Sequence, residues 1–408
     1  MKDKIFEHLD AGRDTVIELQ ERLVALPALG PDNNGQGEKD KADFLLDYLR
    51  QLGVPEIREM PAPDPRVACG FRPNIAARIP GQNPDKTFWI ISHTDIVPPG
   101  DLGLWQTDPY VLKVEDDTLY GRGVEDNHQG IVSSLLLAKA LLDLDVTPPL
   151  GLGLLLVSDE ETGSRYGLDF VVKNHGNLFR ENDLFLVPDF GVPDSTMIEV
   201  AEKSMLWLKI SVYGKQCHAS TPEEGINSLT AASAFVLKLR GLYEDYTNKN
   251  SLFSPPGSTF EATKKEANVP NVNTIPGLDV FYLDCRVLPE YELSDVMRTI
   301  AEYGREISGS YGVRIEYEAV QKVPAAPPTD PKSEIVARLA AGIEHVYGVT
   351  ANPMGVGGGT VAAFLRREGY PTAVWATCVP NAHQPNERSL ISTQINDAKV
   401  MARVLMGP

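Results

Sequence analysis

The stretch FWIISHTD, residues 88–95, decides the fold. Phe88 to Ile91 is an apolar run flanked by Thr87 and Ser92, the composition of a strand covered on both faces, and it stops on His93 with Asp95 two residues further on. Strands of that kind belong to parallel α/β sheets, whose sites collect at the carboxyl ends of the strands. A lone histidine there is more often a hydrogen-bonded surface or core residue than a ligand. The weight therefore falls on what recurs downstream.

Working outward, Val16, Leu19, Leu23 and Leu26 before Pro27, and Ala42, Leu45, Leu46 and Leu49 before Gly53, predict two helices in the first fifty residues. Strands are expected at 74–79, 87–92, 152–157 and 184–187, with a helix from about 127 to 144 that runs into Pro148-Pro149. Strands alternating with helices imply a mostly parallel sheet flanked by helices. Near residue 198 the pattern changes to strand (205–212), helix (225–242), strands, helix (293–307) and strand. That order suits a small α+β, ferredoxin-like sandwich inserted into the larger unit. PAAPPTDP, residues 324–331, reads as the linker back, followed by helix from Ser333 and a strand at 372–376. The expected division is 1–198 and 323–408 for the larger domain and 199–322 for the insertion.

At 408 residues the chain is longer than one core usually supports. Its 42% apolar and 23% charged content is that of a globular protein, and a net charge of −18 opposes nucleic acid and anionic membrane as partners. Cys69, Cys217, Cys285 and Cys378 lie far apart without CxxC spacing, so free thiols are expected rather than a disulfide scaffold. With no apolar stretch of membrane-spanning length, a cytoplasmic location is the expectation.

Four further elements join His93 and Asp95: Asp126 in LYGRGVEDN, Asp159-Glu160-Glu161 after LLLVS, Asp189 after LFLVP, and His383 in VPNAHQPNE. Each has an ordinary explanation alone, as helix cap, solvated loop, turn residue or surface side chain. Two histidines and several carboxylates at strand ends and turns of one sheet are harder to assign to chance. Imidazole and carboxylate suit a borderline divalent cation such as Zn²⁺, and two histidines fit a structural calcium site poorly. Five ligands serve two ions if one carboxylate bridges them.

These motifs, in this order and over essentially the whole chain, resemble the aminoacylase, acetylornithine deacetylase, succinyl-diaminopimelate desuccinylase, glutamate carboxypeptidase and dipeptidase family of dinuclear zinc hydrolases. The resemblance implies a zinc-peptidase-like catalytic domain with an inserted lid and dimerisation domain, two Zn²⁺ ions (Co²⁺ or Mn²⁺ as alternatives) and a homodimer. It implies that His93 and Asp189 bind one metal, Glu161 and His383 the other, and that Asp126 bridges them. Asp95 would orient the ring of His93, and Glu160 would be the general base. The peptide bond after the bridging aspartate is commonly cis in the family, which marks Asp126-Asn127. By the same likeness His218, in GKQCHASTPEEGINS, stabilises the oxyanion, while Asn273 and Arg286 hold polar groups of the substrate. Gly358, Gly359 and Thr360 belong to a loop that lets backbone approach it.

Two departures stand out. Asn127, His128, Gln129 and Gly130 replace a lysine and paired glycines, with His128 read as a helix-surface residue in preference to a neighbour of the substrate, and Val361 stands where an aspartate is frequent. Asp189, where deacylase-like members tend to have glutamate, leans toward a peptide with a free amino group. The expected substrate is thus a dipeptide or short peptide, with an N-acyl amino acid as the alternative. A non-catalytic protein on the same fold would have lost ligands, and here every expected position is filled.

Overall fold

The computed structural model describes residues 2–407. Its principal strands in chain order are β1 (Glu56–Glu59), β2 (Ile75–Ile79), β3 (Asn83–His93), β4 (Leu150–Val157), β5 (Leu184–Gly191), β6 (Met197–Glu202), β7 (Ser204–Tyr213), β8 (Thr259–Lys265), β9 (Leu278–Val287), β10 (Arg314–Val323), β11 (Asn352–Val356) and β12 (Thr372–Ala376). The main helices are α1 (Lys2–Asp10), α2 (Arg13–Val24), α3 (Lys39–Gln51), α4 (His128–Asp143), α5 (Ser228–Leu239), α6 (Leu293–Tyr311), α7 (Glu334–Tyr347) and α8 (Ile391–Met406). The chain forms two compact units, one of residues 1–200, 328–353 and 360–408, the other of 201–327 and 354–359.

An α/β sheet of eight strands, in the order β1-β2-β4-β3-β5-β12-β6-β11, runs through the first unit. Parallel pairing is concentrated in the centre, where β3 lies between β4 and β5 and β12 follows β5, while β1, β2 and β6 pair antiparallel. The FWII run alternates as a doubly covered strand must. Trp89 and Ile91 enter a core with Leu155, Leu168, Val171, Phe185 and Leu365, and the opposite side of β3 packs against α4. Two glycines permit this closeness. Gly153 is the register partner of Trp89, and a Cβ there would sit 2.3 Å from the indole. At Gly130 on α4 it would meet the Pro188 carbonyl oxygen and Ser92 Oγ at 2.8 Å.

Three elements differ from the sequence reading. The first fifty residues hold three helices, because Ile5 and Leu9 give α1 one buried stripe too short to read as a period. β6 is buried along its whole length yet carries Glu199, whose charge hid the strand and is met by Arg366 Nη1 at 3.0 Å. His128 is fully buried rather than on a helix surface, because α4 is covered on almost every side.

The second unit is a β-α-β-β-α-β arrangement whose four antiparallel strands lie in the order β8-β9-β7-β10, the ferredoxin-like order. α5 and α6 cover one face, where Phe235, Ile300 and Ile307 pack on Leu206, Leu208, Ile210 and Leu283. The glycine-rich stretch 354–359 groups with this unit, apart from the rest of the segment after 327. Arg286 is part of the reason, since its Nη1 donates to the carbonyl of Gly357 at 2.8 Å. No helix among the described residues is long and apolar enough to cross a membrane.

Candidate metal centre

Four adjacent parallel strands deliver the candidate residues at their carboxyl ends. β3 closes on His93, with Asp95 just beyond, β4 leads into the 3₁₀ turn Glu160–Thr162, β5 carries Asp189, and β12 precedes the loop with His383. Asp126 comes from the turn before α4, followed by a cis Asp126-Asn127 bond, as the resemblance led us to expect. Asn127 ties that turn to β5 by donating through Nδ2 to the Pro188 carbonyl at 2.6 Å.

The resulting geometry has two overlapping groups. His93, Asp126 and Asp189 form one and Asp126, Glu161 and His383 the other, each with ligand atoms within 4.8 Å of one another and Asp126 common to both. His93 Nε2 is 2.9 Å from Asp126 Oδ1 and 3.2 Å from Asp189 Oδ1. His383 Nε2 is 3.1 Å from Asp126 Oδ2 and 3.1 Å from Glu161 Oε2.

The chemistry of this donor set fits a bound cation. His93 Nδ1 lies 3.0 Å from the backbone carbonyl of Asp95. A carbonyl can only accept, so Nδ1 carries the proton and the neutral ring turns its Nε2 lone pair toward two carboxylates. Acceptors then face acceptors, and only a second proton or a cation can satisfy them. Asp189 Oδ1 makes the same point, being buried without a hydrogen bond.

The titration of the bare cluster reflects this demand. Burial works against a charged His93, but the carboxylates of Asp189, Asp126 and Asp95 outweigh it and raise its pKa well above the ordinary value. Hydrogen bonds donated to Asp126 and Glu161 push His383 up to about 10. Burial, followed by repulsion from Asp126, pushes Glu161 up to about 7. Asp126 is held below the carboxylate range by His383 and His93 despite its burial. For Glu160, burial and then the charges of Asp189, Glu161 and Asp126 raise the pKa far above the usual range.

Asp95 does something other than orient a ring through its carboxylate. Its Oδ1 is 3.6 Å from His93 Nδ1, too far for a hydrogen bond, and the backbone carbonyl braces the ring instead. The carboxylate accepts the N–H groups of Glu160 and Glu161, each at 3.0 Å. It thereby holds the turn that presents both glutamates.

Sequence reasoning passed over Glu387, though VPNAHQPNE contains it, and over the buried pair of Lys41 and His128, 2.7 Å apart. Burial pushes Lys41 down to about 7 and His128 well below its ordinary value.

In the second unit His218 and Asn273 are neighbours on a short ribbon, with His218 opposite Thr274 and Ala219 N–H donating to the Asn273 carbonyl at 2.9 Å. His218 Nδ1 accepts from the Ser220 backbone N–H at 3.1 Å. Ser220 Oγ lies 2.7 Å from the same Nδ1, and with its hydroxyl also donating there the ring's own proton is on Nε2. Arg286 is engaged inside its own unit, with Nε and Nη2 on Asp284 at 2.7 and 3.0 Å. A Cβ at Gly358 would meet nothing, and one at Gly359 would come 3.4 Å from Glu202 Oε2. Thr360, in the first unit, accepts the Ala362 N–H at 3.2 Å.

A central α/β sheet with paired imidazole and carboxylate groups at its carboxyl edge defines the class of metal-dependent hydrolases. Residues 89–407 match the profile of Peptidase family M20/M25/M40, and the chain belongs to that family. It is a hydrolase acting on amide bonds, of a family that works with divalent metal ions. An uncharacterized metallohydrolase of Methanococcus maripaludis is 41% identical, covering 96% of this chain and 99% of the relative. A succinyl-diaminopimelate desuccinylase of Nitratiruptor sp. is 24% identical over 92% of this chain and 94% of its own length. Among solved structures, human carnosine dipeptidase 1 shares the fold with a TM-score of 0.79 at 16% identity, covering 99% of this chain and 98% of the other.

Proposed function

We propose that this chain is a dinuclear metal-dependent hydrolase that cleaves the amide bond of a small, carboxylate-bearing substrate, foremost a dipeptide or short peptide. One observation carries the reading. Asp126 is shared by two groups of ligand atoms, and in the first of them the histidine presents its lone pair to carboxylates. His93, Asp126 and Asp189 would hold one ion and Asp126, Glu161 and His383 the other, Zn²⁺ foremost, with Co²⁺ or Mn²⁺ as alternatives. Such ions supply Lewis acidity, lowering the pKa of a water and polarising the scissile carbonyl.

The residues supply the rest. Glu160 takes a proton from the attacking water and passes it to the departing amine. Burial and then the surrounding carboxylates raise its pKa, and a cation that neutralises those carboxylates would remove the second of these causes. His218 would donate from Nε2 to the carbonyl oxygen as negative charge develops, a role its tautomer suits. Asn273, Arg286 and the loop of Gly358, Gly359 and Thr360 would hold the polar groups of the substrate. Arg286 can do so only by sharing or releasing Asp284.

Homodimerisation through the second unit is part of the same reading. Leu237 and Leu229 on α5 are 70% and 37% exposed, and β8 is an edge strand with an open ladder. A second reading, deacylation of an N-acyl amino acid, is favoured by the desuccinylases among the relatives. A panel of dipeptides against N-acetyl and N-succinyl amino acids, with metal-loaded and chelated protein, separates the two. Dipeptide turnover at least tenfold faster supports the first; faster N-succinyl turnover replaces it with the second.

A further inference from the structure

Glu387 lies four residues after His383 and is fully buried, yet it is not among the ligand atoms of either group. Its carboxylate is spent on the turn that carries Asp126. Oε2 accepts from Arg122 Nη1 at 2.6 Å and from the Gly123 N–H at 3.0 Å. Oε1 accepts the N–H groups of Glu125 at 3.0 Å and Asp126 at 3.1 Å. The Gly121 N–H in turn donates to the Glu387 carbonyl at 3.1 Å. A buried carboxylate with three backbone donors and one guanidinium is saturated, so it fixes the turn from one side, while Gln20 on α2 donates through Nε2 to the Val124 carbonyl at 3.0 Å from another.

Asp95 makes the parallel arrangement, two residues after His93, by holding the N–H groups of Glu160 and Glu161. Each histidine of the centre is thus followed in sequence by a carboxylate that reaches across to the turn presenting the other ligands. The 381–388 segment gains a second tie from Glu125, which approaches Asn381 Nδ2 at 3.4 Å and accepts the Val379 N–H.

Resting on the metal-centre reading above, we infer that Glu387 is a positioning residue. It sets where Asp126 stands relative to both histidines, and so controls the affinity of both ion positions at once. Because Asp126 is the shared residue, loosening its turn weakens both ions together, whereas loss of Asp189 or Glu161 weakens one.

The test is metal titration of the purified full chain, stripped with chelator and reloaded with Zn²⁺ against a chromophoric competitor, with thermal unfolding followed in parallel. Glu387→Gln keeps the size and removes the charge and one acceptor. Both binding constants are expected to weaken by about 10–100-fold, the range typical when a residue supporting a metal ligand is changed. Asp189→Asn is expected to weaken one position only. Glu199→Gln, which breaks the buried pair with Arg366 elsewhere in the same unit, reports a purely structural loss and should leave both constants unchanged. Two outcomes overturn the inference: E387Q binding both ions within about threefold of the parent chain, or E199Q weakening them equally. If E387Q does not fold, E387D decides, since it keeps the charge and draws it back by one methylene; unchanged affinity there has the same consequence. A parent chain that binds no divalent ion would instead refute the metal-centre reading and be recognised as such from the unsubstituted protein.

Discussion

Two histidines in two regions of this molecule show what surroundings do to one side chain. His93 is 1% exposed at the end of a central strand, and His218 is exposed on a two-residue ribbon. The Nδ1 of His93 faces a carbonyl, so the ring turns a lone pair outward at Nε2. The Nδ1 of His218 faces a backbone N–H, so the ring turns a proton outward at Nε2. One is prepared to bind a cation and the other to donate to an oxygen. In each case the peptide group that faces Nδ1 lies two residues downstream, on Asp95 and on Ser220. The regions also differ in how they are held. The first is tied by buried carboxylates to turns distant in sequence, while His218 is bonded to Ser220 two residues on.

The largest effect expected from breaking this comparison lies on the His93 side. Glu160→Ala should lower kcat by about a hundredfold to ten-thousandfold, the usual contribution of a general base, with two metal equivalents still bound. Unchanged turnover in a metal-replete variant would remove Glu160 from the mechanism. On the His218 side, His218→Ala should cost about a hundredfold to a thousandfold in kcat, as loss of one oxyanion donor does, with metal affinity untouched. His218→Gln, which still offers an N–H, should recover part of it. Equal losses in both variants would say that the ring acts by something other than donation.

The smallest expected effect sharpens what burial alone does, away from the ligands. Asp397 is buried and its pKa is pushed up to about 6 by desolvation, against hydrogen bonds from the Thr377 N–H, Tyr347 Oη and other donors. The folded chain then binds more protons than the unfolded chain between about pH 4 and pH 6, so native stability falls as pH rises through that window and levels off above it. The cost fully present above pH 6 is on the order of 3 kcal/mol. Asp397→Asn removes the titration. Its unfolding free energy relative to the parent should rise by about that amount from pH 4 to 6 and stay flat from 6 to 8. A difference that does not vary with pH would mean that Asp397 is already ionised at pH 4 in the native state.

The strands with continuous apolar runs, at 88–91, 152–157 and 184–187, were legible because a strand buried on both faces leaves no other reading. β6 was not, since Glu199 breaks its pattern and the Arg366 that meets its charge lies 167 residues away. α1 escaped because two apolar residues do not make a period. His128 was misplaced because the polar triplet around it hid a helix covered on nearly all sides.

The sequence by itself determined the α/β class and the residue types at the strand ends, because periodicity and the breaks in it are local properties of the chain. It also marked Asp126-Asn127 as the site of the cis bond, through a family likeness. The tertiary structure alone decided which atoms face each other: that Asp126 stands in both groups, that Asp95 holds a turn with its carboxylate and the His93 ring with its carbonyl, and that Glu387 reaches back to residues 122–126. Those are contacts between segments tens to hundreds of residues apart. The direction of a lone pair or an N–H is set only when such segments meet.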